Sequence, residues 1–406
     1  MSGLAPIVWL IGLLAAAEIG LALLHRALKP GFQWLIGPED ETPAFPSDLI
    51  DKYQQTSLDP DLGWARRPGT SGEDQLPAGS VRFHIDDEGC RRNPGFDGRP
   101  SRIAAFGDSF TFCRLVDDEG TWPHQLSRRL DTNVRNFGVG NYGFDQALLR
   151  LETELPDLAA EAVIIGIVPE TIARVQSYWK HYFEYGNILA FKPRFTLDGG
   201  GLRLHPPAVR RPEDFATIHS RLEDVCALDP FHARKFRPDM LRFPYLWHLP
   251  QRWRRHGPIL GHLSWGLLTG RAVQGRRRAF EVVMAENARW TAALYDDAEA
   301  CDLLAALIER FADVCRAAGR QPLLLVIPQP VDFADIDAGR ARFPGFFKAM
   351  RQNLTVLDMT ERFQAVDDRD ALYVDGALGP HVSARGNEII VEALAPLVQD
   401  MLAPPS

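Results

Sequence analysis

The chain has 406 residues, of which 46% are hydrophobic, and this length suits one large α/β domain with insertions or two domains. So large an apolar fraction argues against global disorder. The net charge of −8 excludes a polycation that binds nucleic acid over its whole surface. The five cysteines are odd in number and form no CxxC pair, so neither a zinc site nor a dense disulfide framework is expected.

Residues 5–24 (APIVWLIGLLAAAEIGLALL) form an apolar run with a single charge, Glu18. About twenty residues cross the hydrocarbon core of a bilayer. A buried helix of a soluble domain is the alternative, whereas a signal peptide would need a basic n-region that MSGLAP lacks. We therefore expect residues 1–30 to be an uncleaved anchor. Because a carboxylate is costly at mid-bilayer, we expect Glu18 to face a partner helix or to be protonated.

Residues 31–100 are rich in Pro, Gly and acidic residues, which indicates a tether followed by an extension. From residue 101 to 403, short apolar runs alternate with helical patterns, as in the βαβ units of a parallel sheet. Five strands are predicted, at 103–106, 134–137, 162–168, 322–327 and 355–358. The predicted helices are 121–130, 144–158, 300–318 and 384–402.

Residues 174–290 are too long for one crossover and indicate an insertion or lid. Within it, residues 231–280 carry eleven Lys or Arg against one Asp, together with Trp247, Trp253 and Trp265. Basic residues mixed with aromatics suit a surface that lies on anionic lipid. A solvated basic lid is the alternative. No nucleic-acid-binding module accompanies the charge, so a nucleic-acid partner is not expected.

The segment 102–113, RIAAFGDSFTFC, carries the chemistry. A buried strand runs into Gly107-Asp108-Ser109, which places the Ser109 hydroxyl at the carboxyl end of the strand. A hydroxyl there is a nucleophile if a base reaches it, and backbone N–H groups of the turn can stabilise an oxyanion. Alone, the tripeptide is also compatible with a simple helix N-cap.

Four blocks together resemble the SGNH (GDSL-like) hydrolase family: AFGDSF, NFGVGNYGFDQALLRL (136–151), AVIIGIVPETIAR (162–174) and VDGALGPHVSARGNEIIVEAL (374–394). The resemblance implies a three-layer α/β/α sandwich with a flavodoxin-like, parallel five-stranded sheet. It implies Ser109 as nucleophile and His381 as base. The glycine that lines the family's oxyanion hole aligns with Asn141, beside Gly140.

Two positions depart from the family. The family's Asn donor is replaced by Glu170, whose carboxylate would repel an oxyanion unless it is protonated, turned away, or holding another group such as a substrate hydroxyl or an arginine. The family's acid lies three residues before the histidine, where this chain has Leu378. The nearest acid is Asp375, which either orients His381 or is a turn residue beside a Ser–His dyad.

These features predict ester hydrolysis or O-acyl transfer through an acyl-enzyme on Ser109, with no cofactor or metal. The expected substrate is an acylated carbohydrate or lipid of the cell envelope. A catalytically impaired scaffold or carbohydrate-binding protein of the same fold is the alternative.

The anchor implies a single-pass protein of a bacterial-type inner membrane. Basic residues after the span favour a cytoplasmic domain, while the resemblance to envelope-modifying proteins favours the extracytoplasmic side.

Overall fold

The computed structural model describes residues 4–76, 79–376 and 379–403. The strands are β1 (Leu58–Asp59), β2 (Gly63–Trp64), β3 (Ser71–Leu76), β4 (Gly79–His84), β5 (Ser101–Gly107), β6 (Asn133–Asn136), β7 (Ala162–Ile167), β8 (Arg194–Asp198), β9 (Gly201–His205), β10 (Gln321–Val326), β11 (Thr355–Asp358), β12 (Tyr373–Val374) and β13 (His381–Val382).

The helices are α1 (Leu4–Leu28), α2 (Ser47–Thr56), α3 (Ser109–Phe112), α4 (Trp122–Leu130), α5 (Phe144–Glu154), α6 (Thr171–Arg174), α7 (Leu222–Leu228), α8 (Tyr245–Gln251), α9 (Trp253–Leu268), α10 (Ala272–Leu294), α11 (Ala298–Ala317), α12 (Phe333–Asp337), α13 (Phe343–Met350), α14 (Thr360–Gln364) and α15 (Ala384–Met401). Short 3₁₀ segments connect several of them.

The chain divides into two compact units. The first comprises Met1–Ile50, Ser177–Phe191 and Glu213–Arg289, and the second comprises Asp51–Gln176, Lys192–Pro212 and Trp290–Ser406. The predicted insertion 174–290 therefore contributes to both units, as does the predicted extension 31–100. Most of the basic segment belongs to the same unit as the apolar N-terminal helix.

The second unit is built on a parallel sheet with the strand order β11-β10-β7-β5-β6. Counted along the chain, this is the 2-1-3-4-5 order of flavodoxin-like sheets. Every residue of the central strand β7, AVIIGI, is buried, as expected for a parallel strand that is covered on both faces. The predicted parallel five-stranded sheet is confirmed, and each strand lies within two residues of its predicted bounds.

Helices form the outer layers of the sandwich. Helix α5 packs against α11, and α4 packs against α15. Helix α11 shows why: its buried residues Leu304, Leu307, Ile308 and Phe311 recur at helical spacing and form one apolar face. Four antiparallel hairpins, β1–β2, β3–β4, β8–β9 and β12–β13, are also present in the described parts of the chain.

The first unit contains α1, which is the one described helix long and apolar enough to cross a membrane. Most of its apolar side chains are exposed. Its carboxyl end is different, because Leu28 is buried in a cluster with Ile259 and Leu263 of α9 and Val283 of α10. The end of α1 is thus a packed part of this unit.

Candidate active site

The turn after β5 places Ser109 at the carboxyl end of the strand. Gly107 has φ +147, and a Cβ at this position would lie 1.9 Å from the carbonyl oxygen of Gly166 in β7, so only glycine fits. The carboxylate of Asp108 accepts the N–H of Phe110 at 2.8 Å and caps α3, which begins with Ser109. The nucleophile candidate therefore lies where β5 meets β7, the position at which flavodoxin-like sheets bind ligands.

The structure brings Ser109 and His381 together. The Nε2 atom of His381 lies 2.9 Å from the Oγ atom of Ser109, and both side chains are buried. The Nδ1 atom lies 3.2 Å from the carbonyl oxygen of Gly379. Since a carbonyl only accepts, Nδ1 carries the proton and Nε2 is left with a lone pair that faces the hydroxyl. This is the tautomer that a general base requires.

The surroundings of His381 keep its imidazole neutral. Burial is the largest cause that lowers its pKa from 6.5 to about 4, and the nearby cation of Arg114 acts in the same direction. The ring of Phe110 packs against the imidazole, with the centroids 4.9 Å apart. Ser109 therefore faces a neutral base throughout the physiological pH range.

Asp375 lies in an exposed turn between β12 and β13. Its Oδ1 atom accepts the N–H of Gly376 at 3.1 Å, while the Nδ1 atom of His381 faces Gly379. Leu378, which takes the place of the family's acid, lies outside the described residues. The geometry around Nδ1 is thus that of a Ser–His pair oriented by a backbone carbonyl, and the orienting role of Asp375 stays a prediction.

Gly140 and Asn141 lie in the turn that follows β6. The Val139 N–H donates to the carbonyl of Gly107 at 3.0 Å, which ties this turn to the nucleophile turn. Asn141 has φ +67, the left-handed conformation that favours glycine, at the position where the family has its glycine. Gly138, which the sequence analysis missed, packs so tightly that a Cβ there would lie 2.3 Å from the backbone N of Phe112 in α3.

Glu170 holds an arginine. The Nη2 atom of Arg174 donates to Glu170 Oε2 at 2.6 Å, and its Nη1 atom donates to Asp108 Oδ2 at 3.1 Å and to the carbonyl of Tyr142 at 3.2 Å. Of the alternatives for Glu170, the structure has the one in which the carboxylate binds another group.

Arg174 thus joins the segments that follow β5, β6 and β7. These three segments carry the predicted nucleophile, Ser109, and the predicted oxyanion residues. The guanidinium is buried, so its charge is balanced by the two carboxylates. The sequence analysis did not assign Arg174 a role, although its spacing of four residues from Glu170 on one helix face is a usable signal.

Residues of the N-terminal extension support the turn after β6. The indole N–H of Trp64 donates to the carbonyl of Gly140 at 3.0 Å, and the hydroxyl of Tyr142 donates to the carbonyl of Trp64 at 2.6 Å. This reciprocal pair fixes the turn from outside the sheet. Nothing in the sequence pattern around Trp64 indicates it, because the contact joins residues more than seventy positions apart.

The fold is identified from the order of the strands in the sheet and from the positions of Ser109 and His381. Ser109 follows the first strand of the 2-1-3-4-5 sheet, and His381 precedes the last helix and reaches back to it. The second unit has a flavodoxin-like α/β/α fold. Ser109 follows β5 and His381 begins β13, so the two side chains that meet here come from segments far apart in the chain.

No protein-family model and no curated protein matches the chain. Among solved structures, it is similar to a protein assigned to the lipolytic G-D-S-L family from Desulfitobacterium hafniense, with 12% identity over 74% of this chain and 98% of that chain and a TM-score of 0.30. It is also similar to TesA, with 14% identity over 74% and 99% of the two chains and a TM-score of 0.33.

A lipase/acylhydrolase from Enterococcus faecalis is a third similar structure, with 13% identity over 75% of this chain and 99% of that chain and a TM-score of 0.34. Because these TM-scores and identities are low, no activity or substrate is carried over from the three proteins. The flavodoxin-like fold of the second unit is evident from the chain's own sheet order.

Proposed function

We propose that the protein is a membrane-anchored serine esterase or O-acyltransferase in which Ser109 is the nucleophile and His381 the general base. The observation that carries this proposal is the 2.9 Å contact between Ser109 Oγ and His381 Nε2, in the tautomer that accepts a proton. A buried serine hydroxyl beside a neutral imidazole is the arrangement that nucleophilic acyl transfer needs.

The reaction proceeds in two steps. His381 Nε2 takes the Ser109 proton while Oγ attacks the ester carbonyl carbon, and the imidazolium then protonates the departing alkoxide as its C–O bond breaks. In the second step His381 deprotonates water or a sugar hydroxyl, which attacks the acyl carbon. The bond from that carbon to Ser109 Oγ then breaks, and the imidazolium returns its proton to Oγ. Backbone N–H groups of Ser109 and of residues 140–141 stabilise the oxyanion, each by about 3 kcal/mol.

The imidazole is oriented through Nδ1. In this proposal the carbonyl of Gly379 accepts a hydrogen bond from the Nδ1–H group of His381. Glu170 takes no part in oxyanion stabilisation, because its carboxylate is engaged by Arg174. Its contribution is to position the turns that follow the strands.

The apolar helix α1 supports the anchoring part of the proposal. An anchored enzyme acts on a substrate at a surface, so an acylated carbohydrate or lipid of the cell envelope is the proposed substrate class, with the catalytic unit on the extracytoplasmic side of an inner membrane. Contact of residues 231–280 with anionic lipid belongs to the same proposal.

Labelling with a fluorophosphonate probe tests the nucleophile. We expect the full-length protein in detergent to be labelled, Ser109→Ala to be unlabelled, and the control Ser57→Ala to be labelled like the wild type. Equal labelling of Ser109→Ala would refute the mechanism. A wild type that is unlabelled at every pH would favour the non-catalytic scaffold.

Release of p-nitrophenol from p-nitrophenyl acetate, with and without a sugar acceptor, separates hydrolysis from transfer.

A further inference from the structure

The carboxylate of Glu18 closes the amino end of α8. Its two oxygens accept the backbone N–H groups of Tyr245 at 2.7 Å and Leu246 at 2.9 Å. The first N–H groups of a helix have no partner within the helix, so a carboxylate there satisfies donors that apolar surroundings would leave unpaired. Glu18, the one acidic residue of the apolar run, thus binds the amino end of α8 within the same unit.

This contact fixes the depth of α8 along α1. Glu18 lies ten residues before Leu28, the end of α1. At 1.5 Å per residue the contact is about 15 Å from that end. It is also about 9 Å inside the predicted apolar run, which ends at residue 24. The amino end of α8 therefore lies beside the body of the apolar helix and not beyond it.

The segment 243–253, which contains α8, exposes large apolar side chains at this level. Phe243 is 71% exposed, Trp247 67% and Trp253 60%. Aromatic residues of this kind concentrate at the boundary between headgroups and acyl chains. The neighbouring Arg254 is exposed as well, which suits an anionic headgroup. An exposed aromatic cluster in water would be a liability, whereas at a bilayer surface it is stabilising.

Packing within the unit holds the segment at this depth. Leu28 of α1 is buried against Ile259, Leu260 and Leu263 of α9, and Leu249 of α8 packs on the same cluster. Helix α1 is consequently not a loose tether in this unit. If α1 enters a bilayer, α8 enters with it.

We propose that the segment 243–253 is a second membrane-contacting element, whose aromatic side chains insert into the headgroup and acyl boundary of the leaflet that holds the carboxyl half of α1. The occupant of this apolar surface is a phospholipid bilayer with anionic headgroups. The inference rests on the proposed anchoring by α1 and on the proposed lipid contact of residues 231–280, and it narrows that contact to one segment at a defined depth along α1.

Depth-dependent quenching tests the inference on the full-length protein in phosphatidylethanolamine–phosphatidylglycerol liposomes. In a Cys226→Ser/Cys301→Ser background, whose other cysteines are buried, an NBD fluorophore is placed at Trp247→Cys. Ile11→Cys in α1 reports the anchor. Leu49→Cys, an exposed apolar position of the same unit, is the matched control. The quencher is a phospholipid with a nitroxide near its headgroup.

We expect the probes at Trp247 and Ile11 to be quenched several-fold more than the probe at Leu49. If the probe at Ile11 is quenched but the probe at Trp247 is quenched no more than the probe at Leu49, the inference is wrong and the anchoring by α1 stands. If the Trp247 probe is in addition shielded from iodide, the segment binds a protein partner. No quenching at Ile11 would refute the anchoring itself. Phe243→Cys serves as a second site if Trp247→Cys fails to fold.

The Glu18 contact gives an independent check. Glu18→Leu removes the acceptor for Tyr245 and Leu246, so quenching at Trp247 should fall towards that of the Leu49 control while quenching at Ile11 persists. Glu18→Gln keeps an acceptor oxygen and should retain most of the quenching. If Glu18→Leu leaves the Trp247 signal unchanged, the carboxylate does not set the depth of the segment, and the proposed geometry is wrong.

Discussion

Arg174 and Glu170 form a partly buried ion pair, with Arg174 Nη2 2.6 Å from Glu170 Oε2, at the position where the SGNH family has an amide donor. The same guanidinium also reaches Asp108, the residue that precedes the nucleophile. The departure from the family pattern therefore has a structural meaning: the carboxylate at position 170 anchors a cation that connects the strand ends.

The pair predicts different outcomes for its two members. Glu170→Gln keeps a side-chain oxygen that can accept from Arg174, so we expect most of the activity to persist. Arg174→Met leaves the carboxylate of Asp108 buried without its cation, which costs about 3–5 kcal/mol of stability. Thermal unfolding and kcat/KM of both variants check this. A collapse of activity in Glu170→Gln with unchanged stability would show that the carboxylate itself is needed.

The low pKa of His381 predicts the acid limb of the pH profile. The base must be neutral, and burial lowers its pKa from 6.5 to about 4. We expect kcat/KM to hold as the pH falls through 6.5 and to be lost only near pH 4. A limb centred near 6.5 would contradict the burial of the imidazole. Arg114→Gln removes a cation that lowers this pKa, so its limb should lie at higher pH.

Protonation of His381 also affects the free energy of unfolding. The unfolded chain binds the proton at an ordinary pKa, whereas the folded chain binds it near pH 4, so this contribution to stability is complete above pH 6.5 and is lost as the pH falls towards 4. His181 and His256, whose pKa values burial lowers to about 4 and about 3, act in the same direction. The difference in the free energy of unfolding between the wild type and His381→Gln, measured across this pH range, isolates the contribution of His381.

The variant Asp375→Asn tests whether the site is a Ser109–His381–Asp375 triad or a Ser109–His381 dyad. Because Nδ1 of His381 faces the carbonyl of Gly379, we expect this variant to retain kcat within about tenfold, whereas loss of a true orienting acid costs about 10⁴-fold. Single-turnover acylation by a p-nitrophenyl ester measures the step directly. A loss of several orders of magnitude, with the fold intact, would establish Asp375 as the orienting acid.

The Trp64–Tyr142 pair predicts an effect on kcat more than on KM. Tyr142→Phe removes the hydroxyl that donates to the carbonyl of Trp64 and loosens the turn that carries Gly140 and Asn141. Each oxyanion donor is worth about a hundredfold in rate, so partial misplacement should lower kcat by about tenfold. Tyr53→Phe is the control for the loss of a hydroxyl-to-carbonyl bond within the extension, since its hydroxyl donates to the carbonyl of Gly63 and not to that of Trp64.

The amino-acid sequence is enough to predict the parallel sheet, the apolar N-terminal helix and the pairing of Ser109 with His381. The apolar runs of β5 and β7 and the amphipathic pattern of α11 are local signals, and local periodicity is enough to define such elements. The resemblance of four sequence blocks to the SGNH family then paired Ser109, which follows β5, with His381, which lies outside the parallel sheet in β13.

The contacts of Arg174, Gly379 and Glu18 are visible only in the folded protein. Each acts through a contact whose partner is fixed by folding: Arg174 with two carboxylates, Gly379 with the Nδ1 atom of His381, and Glu18 with the amino end of α8. A hydrogen bond depends on distance and direction to within a few tenths of an ångström, and residue type and spacing do not encode these over hundreds of residues.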